Sequence, residues 1–344
     1  MDENAIYKVK KYFAIALDPI HVGTGGYRIG RVDNTIIREP ATGIPKIPGT
    51  TIEGVCRSYA FLKARESGKL KDEDYKGNTH PLACAKGKRT KVNEEDKFPC
   101  GSCEICITFG YTSDTKSLQA MALFSDARIL FFPVATMIGP VWITCPMVLG
   151  DVGIKDISNK DGSISTPKNG KFIVPEGSTV DPPEGMLNFG WLLLKKQDKS
   201  KKANVDNWNY MENNKWKNLK NDGKIDQTIL SRLVIVPDNL FLQIVSSNLE
   251  VRTSVAIDPE RGAAEEGALF TYEAIPRGTV FWFDVIYQNP KYFQIEKITG
   301  CNNKDLMKCV EKAAENGMSL FEFLGVGGMG SRGFGRLKVL NLEG

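Results

Sequence analysis

Alternation of apolar and polar residues divides the chain into short strands and a few helices. Residues 6–20 alternate with a period of two, which predicts a first strand. Residues 47–66 repeat their apolar positions at helical spacing, and Thr50 and Glu53 fit a capping box at the helix start. Further predicted elements are strands at 125–134 and 140–149, short helices around 231–247, a hairpin over 250–276, a strand at 279–288, a helix over 304–317 and a final strand at 335–342.

The order of these elements predicts an α+β fold. Without insertions the chain reads strand, helix, strands, strand, helix, strand, as in a split βαβ or ferredoxin-like core. We predict that residues 1–79, 110–150 and 225–344 build this core, and that residues 80–109 and 151–224 are insertions.

The second insertion differs in composition from the rest of the chain. Gly, Ser, Asn and Lys dominate it, and Trp208, Tyr210 and Trp216 stand among the lysines. Aromatic rings among cations can stack on an RNA strand, but a solvated loop anchored by a few indoles has the same composition. Both interpretations stay open for residues 151–224.

Composition and charge describe an ordinary soluble protein. Of the 344 residues 42% are hydrophobic and 25% charged, and the net charge of +4 is too small to indicate a nucleic-acid binder by itself. No secretory signal is readable at the amino terminus, so we expect a cytoplasmic protein. Residues 129–150 carry no charge and are long enough to span a bilayer, but Pro133, Pro140 and Pro146 favour two buried strands and no membrane contact.

Four of the eight cysteines form a cluster that is typical of a metal site. Cys100, Cys103 and Cys106 follow a C-x2-C-x2-C spacing, and Cys84 precedes them across a polar loop. Four thiolates suit a closed structural zinc site, with His80 as an alternative to Cys84 and redox sensing as an alternative to zinc. The other four cysteines lie in apolar or helical contexts and are expected to be free buried thiols: Cys56, Cys145, Cys301 and Cys309.

A glycine-rich segment at residues 325–335 precedes the last predicted strand. Ser331, Arg332 and Arg336 stand in or beside it. Glycines allow a polyanion to approach the backbone, exposed amides bind phosphate oxygens, and arginines supply forked donors. The segment is neither a P-loop nor a dinucleotide fingerprint, because it lacks the GK[ST] ending and leads into a strand. Phosphate binding is the functional interpretation, and a glycine-rich turn without function is the alternative.

Several motifs stand in a fixed order along the chain. They are HVGTGG, VDNTIIREPATGIPKIPGTTIEGVCRSY, SDARILFFPV with VWITCPMVL, VRTSVAIDPERGAAEEGALFTYEAIPRGTVF and GVGGMGSRGFGRL. In this order they resemble the repeat-associated RNA-binding (RAMP) superfamily, and more narrowly the backbone (Cas family seven) subunit of type III CRISPR effector complexes. The resemblance covers most of the chain outside residues 151–224. It implies an RNA-recognition-like palm, a thumb hairpin at 250–276, and several copies stacked along a guide RNA (crRNA) beside other effector subunits.

The resemblance also implies which residues contact RNA. Guide contacts fall on the loop after the first strand, the start of the predicted helix, the base of the thumb and the glycine-rich segment. These residues are His21, Gly23, Lys46, Thr50, Thr51, Arg57, Arg252, Gly327, Gly328, Ser331, Arg332 and Arg336. A helix amino terminus beside cations is an anion site, which agrees with this assignment. Tyr27 and Arg28 are candidates for contact with the target RNA.

For catalysis, the cleaving members of the family place an aspartate where Asp33 stands in this chain. In such a reaction the ribose 2′-hydroxyl attacks the adjacent phosphate of a complementary target RNA, and Asp33 accepts the proton or holds Mg²⁺ or Mn²⁺. The cysteine cluster resembles the zinc-binding insertion of some members. Three alternatives stay open: Asp33 only forms an Asx turn, the subunit is a scaffold whose target another nuclease cuts, or the chain processes repeat RNA through His21.

Overall fold

A computed structural model describes residues 5–25, 32–153, 167–175, 178–197, 226–301 and 305–343. Tyr27, Arg28, Trp208, Tyr210 and Trp216 lie outside these residues. The described strands are β1 (Tyr7–Ala16), β2 (Lys46–Ile47), β3 (Thr90–Val92), β4 (Glu95–Lys97), β5 (Tyr111–Thr112), β6 (Ser117–Leu118), β7 (Ala122–Phe124), β8 (Ala127–Val134), β9 (Val141–Thr144), β10 (Lys171–Phe172), β11 (Met186–Phe189), β12 (Leu192–Lys196), β13 (Leu233–Ile235), β14 (Glu250–Asp258), β15 (Ala263–Ala274), β16 (Val280–Gln288) and β17 (Leu337–Val339). The described helices are α1 (Gly49–Glu66), α2 (Pro81–Lys86), α3 (Glu104–Phe109), α4 (Pro146–Val152), α5 (Gln227–Ser231), α6 (Asp238–Ser247), α7 (Leu306–Met318) and α8 (Phe321–Leu324).

A mixed α/β core is organised around one large sheet. Its strands lie in the order β13-β9-β8-β16-β1-β17, with β2 paired to β8 and β7 paired to β16. The long strand β1 lies between β16 and β17 and is antiparallel to both. Tyr12, Ala14 and Ala16 on its inward face are fully buried, as the alternation in the sequence predicts. Lys10 on the same face is also buried and pairs there with Glu311 and Glu315.

Helices α1 and α7 pack against each other and against strands of this sheet. Their close approach depends on Gly317, because a side chain there would overlap the backbone of Cys56. At the start of α1, a side chain at Gly49 would overlap the carbonyl of Phe124 for the same reason. These two glycines let α1 pack tightly against neighbouring backbone at both contacts.

A two-stranded hairpin, β14 and β15, forms a sheet of its own outside the large sheet. Its strands pair from Glu250 with Ala274 to Asp258 with Ala263, and a bulge falls between Val255 and Ile257. Four apolar side chains on it are exposed: Val251, Val255, Ile257 and Leu269. The hairpin therefore occupies the predicted range and leaves these four apolar side chains exposed.

Part of the second insertion folds into a small sheet, β10-β12-β11. Phe172, Leu187 and Phe189 on these strands are fully buried and belong to the main hydrophobic core. Ile173 also bridges to Ile235 of β13. The described part of residues 151–224 is therefore attached to the core, which the low-complexity composition did not indicate.

Three local predictions were wrong. Pro48 caps α1 without a side-chain hydrogen bond, so Thr50 and Glu53 form no capping box. The strand predicted at 140–149 ends at Thr144, where Pro146 starts α4 in the first helical turn. Residues 231–247 contain strand β13, which runs parallel to β9, before helix α6 begins.

The cysteines outside the cluster fall into two groups. Cys56 and Cys145 are free and fully buried, as predicted. Cys301 and Cys309 were also expected to be free, but the structure pairs them in a disulfide with a Cα–Cα distance of 6.1 Å. Cys301 precedes α7 in the sequence, and Cys309 lies in the first turn of that helix.

None of the described helices is long and apolar enough to cross a membrane. The uncharged residues 129–150 are divided among β8, β9 and the start of α4. Their prolines lie within β8, before β9 and at the start of α4, where each is compatible with the local structure.

Candidate nucleic-acid interface and metal site

Asp33 is attached to the base of the hairpin by a closed ring of hydrogen bonds. The Thr271 amide donates to Asp33 Oδ2 at 2.9 Å, and the Thr271 hydroxyl donates to the same oxygen at 2.7 Å. In return the Asp33 amide donates to Thr271 Oγ1 at 3.0 Å. No other described residue donates a hydrogen bond to Asp33 Oδ1. One carboxylate oxygen is thus fixed while the other is available.

These hydrogen bonds lower the pKa of Asp33 below its ordinary value, chiefly through the Thr271 amide and then through its hydroxyl. A carboxylate with a lowered pKa is ionised at neutral pH and is a weak proton acceptor. The same charge and its available oxygen suit a divalent cation. Of the two roles predicted for Asp33, the electrostatics favour cation binding over proton abstraction.

The glycine-rich segment packs against the base of the hairpin. The Arg332 guanidinium donates to the Tyr272 hydroxyl at 3.3 Å. Arg252 donates to the Gly333 carbonyl at 3.5 Å and lies over the ring of Phe334, with 4.7 Å between its guanidinium carbon and the ring centroid. Because Tyr272 directly follows Thr271, these contacts place the segment beside the residue that holds Asp33.

Several predicted guide contacts in this segment are accessible. Gly327, Gly328, Ser331 and Arg332 are exposed. A side chain at Gly327 would collide with the carbonyl of His21, and the φ of Gly327 is 88°, so both space and conformation require glycine there. The segment thus presents exposed backbone beside an arginine, but the amides of Gly328 and Arg332 donate within the chain, so a phosphate would have to bind other amides of the segment.

His21 lies beneath that segment and is only 7% exposed. Its Nδ1 donates to the Glu273 carbonyl at 2.6 Å, and its own carbonyl accepts from the Gly328 amide at 2.9 Å. Gly23 is exposed and bridges to Ile36. The direct guide contact predicted for His21 does not fit this burial, because its ring connects the hairpin base to the glycine-rich segment from below.

Arg336 and Arg252 are already partnered by carboxylates. Arg336 makes a two-pronged ion pair with Asp18, at 2.6 and 3.1 Å, and this pair lowers the pKa of Asp18. Arg252 pairs with Glu250. Both side chains are partly exposed, so their charge reaches the surface. Of the three arginines, Arg332 has the fewest partners for its guanidinium, because it donates only to the Tyr272 hydroxyl among the described residues.

At the start of α1, an acidic side chain occupies the predicted anion site. Asp126 accepts from the Gly49 amide at 2.8 Å and pairs with Lys46 at 2.5 Å. Burial alone would raise the pKa of Asp126, but these two partners lower it overall. Thr50 is exposed and Thr51 is half-buried beside this pair. A phosphate at this helix terminus would have to compete with Asp126 for the same donors.

The position of Arg57 does not fit the phosphate contact predicted for it. Its side chain is only 8% exposed and points into the cysteine-rich insertion. Its guanidinium donates to the carbonyls of Cys84, Ala85, Phe109 and Gly110 at 2.7 to 3.0 Å. The helical pattern placed Arg57 off the apolar face, but these four carbonyls, distant in sequence, make burial of a charged group favourable.

The four clustered cysteines converge as the spacing predicts. The Sγ atoms of Cys84, Cys100, Cys103 and Cys106 all lie within 4.8 Å of one another. The Cys100 amide donates to Cys84 Sγ at 3.1 Å, and the Cys106 amide donates to Cys103 Sγ at 3.5 Å, contacts that stabilise thiolates. Three of the four side chains are buried, so the site is closed. Such a set of soft donors fits a metal ion.

His80 has a different role from the one considered for it. It caps α2, where its Nδ1 accepts from the Leu82 amide at 3.1 Å. The described cluster of potential ligands contains Cys84 and not His80. The geometry therefore favours Cys84 as the fourth ligand.

Sequence reasoning missed the partners of the candidate residues. Thr271 holds Asp33, while Glu273 accepts from the Ile36 amide at 3.2 Å and pairs with Arg38 at 2.7 Å. All of these contacts join parts of the chain more than 200 residues apart. The alternating pattern of residues 268–276 predicts a strand there, but it does not indicate which loop this strand contacts.

Comparison with known proteins agrees with this architecture. The chain belongs to the RAMP superfamily, whose family model matches residues 14–338. The CRISPR system Cmr endoribonuclease Cmr4 of Pyrococcus furiosus is 29% identical over 272 residues, which are 77% of this chain and 77% of that protein. Two solved structures have a similar fold.

The first is oligomeric Cmr4 from Pyrococcus furiosus, with a TM-score of 0.53 and 19% identity over 98% of this chain and 100% of that one. The second is a chain of the type III-B Cmr-beta complex bound to cognate target RNA, with a TM-score of 0.58 and 15% identity over 98% of both chains. At these identities the likeness concerns the fold.

Proposed function

We propose that this chain is a crRNA-binding backbone subunit of a type III CRISPR effector complex, and that it cleaves complementary target RNA at regular intervals through Asp33. The observation that carries the proposal is the position of the Asp33 carboxylate, fixed on the hairpin base beside the exposed glycine-rich segment. A relative named as an endoribonuclease, Cmr4, matches 77% of the chain and supports the same activity.

The palm in this proposal is the ferredoxin-like part of the large sheet. Strands β1, β8, β16 and β17, together with α1 and α7, follow the order βαββαβ along the chain. In the sheet they lie in the order β8-β16-β1-β17, which is the strand order 4-1-3-2 of a split βαβ fold. The hairpin β14–β15 is the thumb, and its exposed apolar side chains are suited to contact bases or a neighbouring copy.

Guide RNA binds, in this proposal, along the surface formed by Gly23, Gly327, Gly328, Ser331 and Arg332. Exposed backbone and one lightly engaged guanidinium hold the sugar-phosphate chain and leave the bases free to pair. The oligomeric state of the similar Cmr4 structure and the target RNA bound to the Cmr-beta complex support repeated copies along one guide, beside other effector subunits. A subunit with these partners works in the cytoplasm.

In this proposal cleavage needs no nucleophile from the protein, because the ribose 2′-hydroxyl attacks once the RNA holds it in line with the phosphate. A kink in the target strand aligns a ribose 2′-hydroxyl with the neighbouring phosphate. The 2′-oxygen bonds to phosphorus to give a 2′,3′-cyclic phosphate while the bond to the 5′-oxygen of the next nucleotide breaks; water accepts the 2′ proton and protonates the leaving oxygen. The hairpin base keeps Asp33 beside that phosphate. Asp33 is ionised, so it would hold Mg²⁺ or Mn²⁺, which stabilises charge on the phosphate oxygens. The four-cysteine cluster would hold a structural Zn²⁺ that fixes the insertion at residues 80–109.

The test is cleavage of target RNA by the reconstituted complex with a guide of known sequence. Asp33→Ala should abolish cutting, lowering the rate by about 100-fold or more, while guide and target binding stay unchanged. Asp114→Ala is the matched control, since this aspartate is exposed on the turn between β5 and β6. Regularly spaced cutting that persists in the Asp33→Ala complex would contradict the proposal.

A further inference from the structure

Thr271 contacts the Asp33 carboxylate with two donors at once. Its amide and its hydroxyl converge on Oδ2 at 2.9 and 2.7 Å, and its Oγ1 accepts the Asp33 amide. Branching at Cβ restricts the χ1 angle of Thr271, and the two hydrogen bonds of its hydroxyl to Asp33 hold that hydroxyl in place before any ligand binds. The carboxylate is thereby oriented with Oδ2 toward the strand and Oδ1 away from it.

The same contact makes the loop that carries Asp33 part of the hairpin. The Asn34 amide donates to the Thr271 carbonyl at 3.0 Å, and the Glu273 amide donates to the Asn34 carbonyl at 3.0 Å. Asn34 thus pairs in parallel with Tyr272 through a single β-bridge at the hairpin base. Any movement of the base of β15 moves Asp33 with it.

We propose that Thr271 is a positioning residue for RNA cleavage, whose hydroxyl orients the Asp33 carboxylate toward its cation and couples it to the position of the hairpin. This inference rests on the proposed function. It adds that the hairpin base supplies the second half of the cleavage site, so that the position of Asp33 follows the position of the hairpin in the RNA.

The test uses the assembled complex and two variants of Thr271. Thr271→Val keeps the shape and the amide donor but removes the hydroxyl, and we expect single-turnover cleavage to fall about tenfold. The Mg²⁺ concentration for half-maximal cleavage should rise by a similar factor, because the cation ligand is less well oriented. Thr271→Ser restores the hydroxyl with a freer rotamer, and should recover cleavage to within about threefold of the wild type.

Matched controls separate positioning from a structural defect. Thr112→Val makes the same chemical change at an exposed strand residue just after the cysteine-rich insertion, and should leave the rate and the Mg²⁺ dependence unchanged. Guide binding and the melting temperature of the complex are measured for every variant. A merely structural role of Thr271 would lower these two quantities and leave the half-maximal Mg²⁺ concentration unchanged, which would overturn the inference.

The outcome also distinguishes this inference from the function on which it rests. If Asp33→Ala abolishes cleavage while Thr271→Val cuts like the wild type, only the positioning role is wrong. If Thr271→Ser is as impaired as Thr271→Val, the hydroxyl is not the active group and the inference is overturned. If Asp33→Ala still cuts, the proposed function fails and the role of Thr271 fails with it.

Discussion

Arg57 and Arg332 were both predicted to bind guide phosphates, and the structure gives them opposite surroundings. Arg57 is buried in the cysteine-rich insertion and donates to four backbone carbonyls. Arg332 is exposed in the glycine-rich segment and donates to one hydroxyl. The two arginines differ in whether the N–H groups of the guanidinium already donate to acceptors of the folded chain: those of Arg57 do, and most of those of Arg332 do not. This difference supports our proposal that the glycine-rich segment with the hairpin base meets RNA and that the insertion has a structural role.

The largest expected effect is removal of the metal that we assign to the four cysteines. A zinc-selective chelator, used with Mg²⁺ in excess, should release about one Zn²⁺ per chain, because four thiolates form one closed site. Residues 80–109 should then lose protection from hydrogen exchange, since the metal supplies much of the folding free energy of such a small unit.

Target cleavage by complexes assembled beforehand should change by less than about twofold on this treatment. Immediate loss of cutting at unchanged assembly would contradict a purely structural insertion. The absence of released Zn²⁺ from pure protein would contradict the metal assignment.

Next in size is Arg57→Ala. Four carbonyls lose a charged donor in a buried site, so the free energy of unfolding should fall by about 3–5 kcal/mol. Denaturant unfolding of the isolated chain measures this loss. Guide affinity, expressed per folded chain, should stay unchanged. A weaker guide affinity with an unchanged free energy of unfolding would show that Arg57 contacts RNA after all.

A smaller effect is expected for Arg332→Ala. Guide affinity should fall by roughly three- to tenfold. The slope of log affinity against log salt concentration should become less steep by about one, which corresponds to the loss of one phosphate contact. Unfolding should change by less than about 0.5 kcal/mol, because the side chain is exposed. Arg89→Ala, an exposed arginine of the insertion, is the control. An equal change of this slope in Arg332→Ala and Arg89→Ala would contradict the proposed difference between the glycine-rich segment and the insertion.

The smallest effect concerns the pKa of Asp33. Thr271 lowers this pKa, so the ionised carboxylate contributes stability at neutral pH that is lost only as the pH falls through the lowered value. An NMR titration of the Asp33 carboxyl carbon, assigned with Asp33→Asn, should show a midpoint below the ordinary value of about 3.9. Thr271→Val should move this midpoint upward. A midpoint near neutrality would instead make Asp33 a proton acceptor.

The contrast between the two regions also shows what sequence alone could provide. The period-two pattern of residues 6–20 predicts β1, and the polar tip predicted at residues 259–267 predicts the hairpin, because both depend on neighbours in sequence. The structure shortens that tip, since β15 already begins at Ala263. The cysteine spacing predicts the cluster for the same reason, since three of its ligands lie within seven residues. Local chemistry was therefore sufficient for these features.

Features that depend on distant contacts could not be predicted. Asp126 replaces the predicted side-chain cap of α1 from 77 positions away in the sequence. The partners of Arg57 lie up to 53 residues away, and Thr271 lies 238 residues from Asp33. Periodicity assigns a residue to a face of its own element, but it does not show which carbonyls or hydroxyls another element brings to that face.

The most direct test of the central claim is photo-crosslinking of guide RNA to the protein in the assembled complex, with the crosslinked peptides identified by mass spectrometry. We predict crosslinks in the glycine-rich segment around residues 327–332 and at the hairpin base. Crosslinks confined to the cysteine-rich insertion, with the glycine-rich segment and the hairpin base free of RNA, would contradict the account.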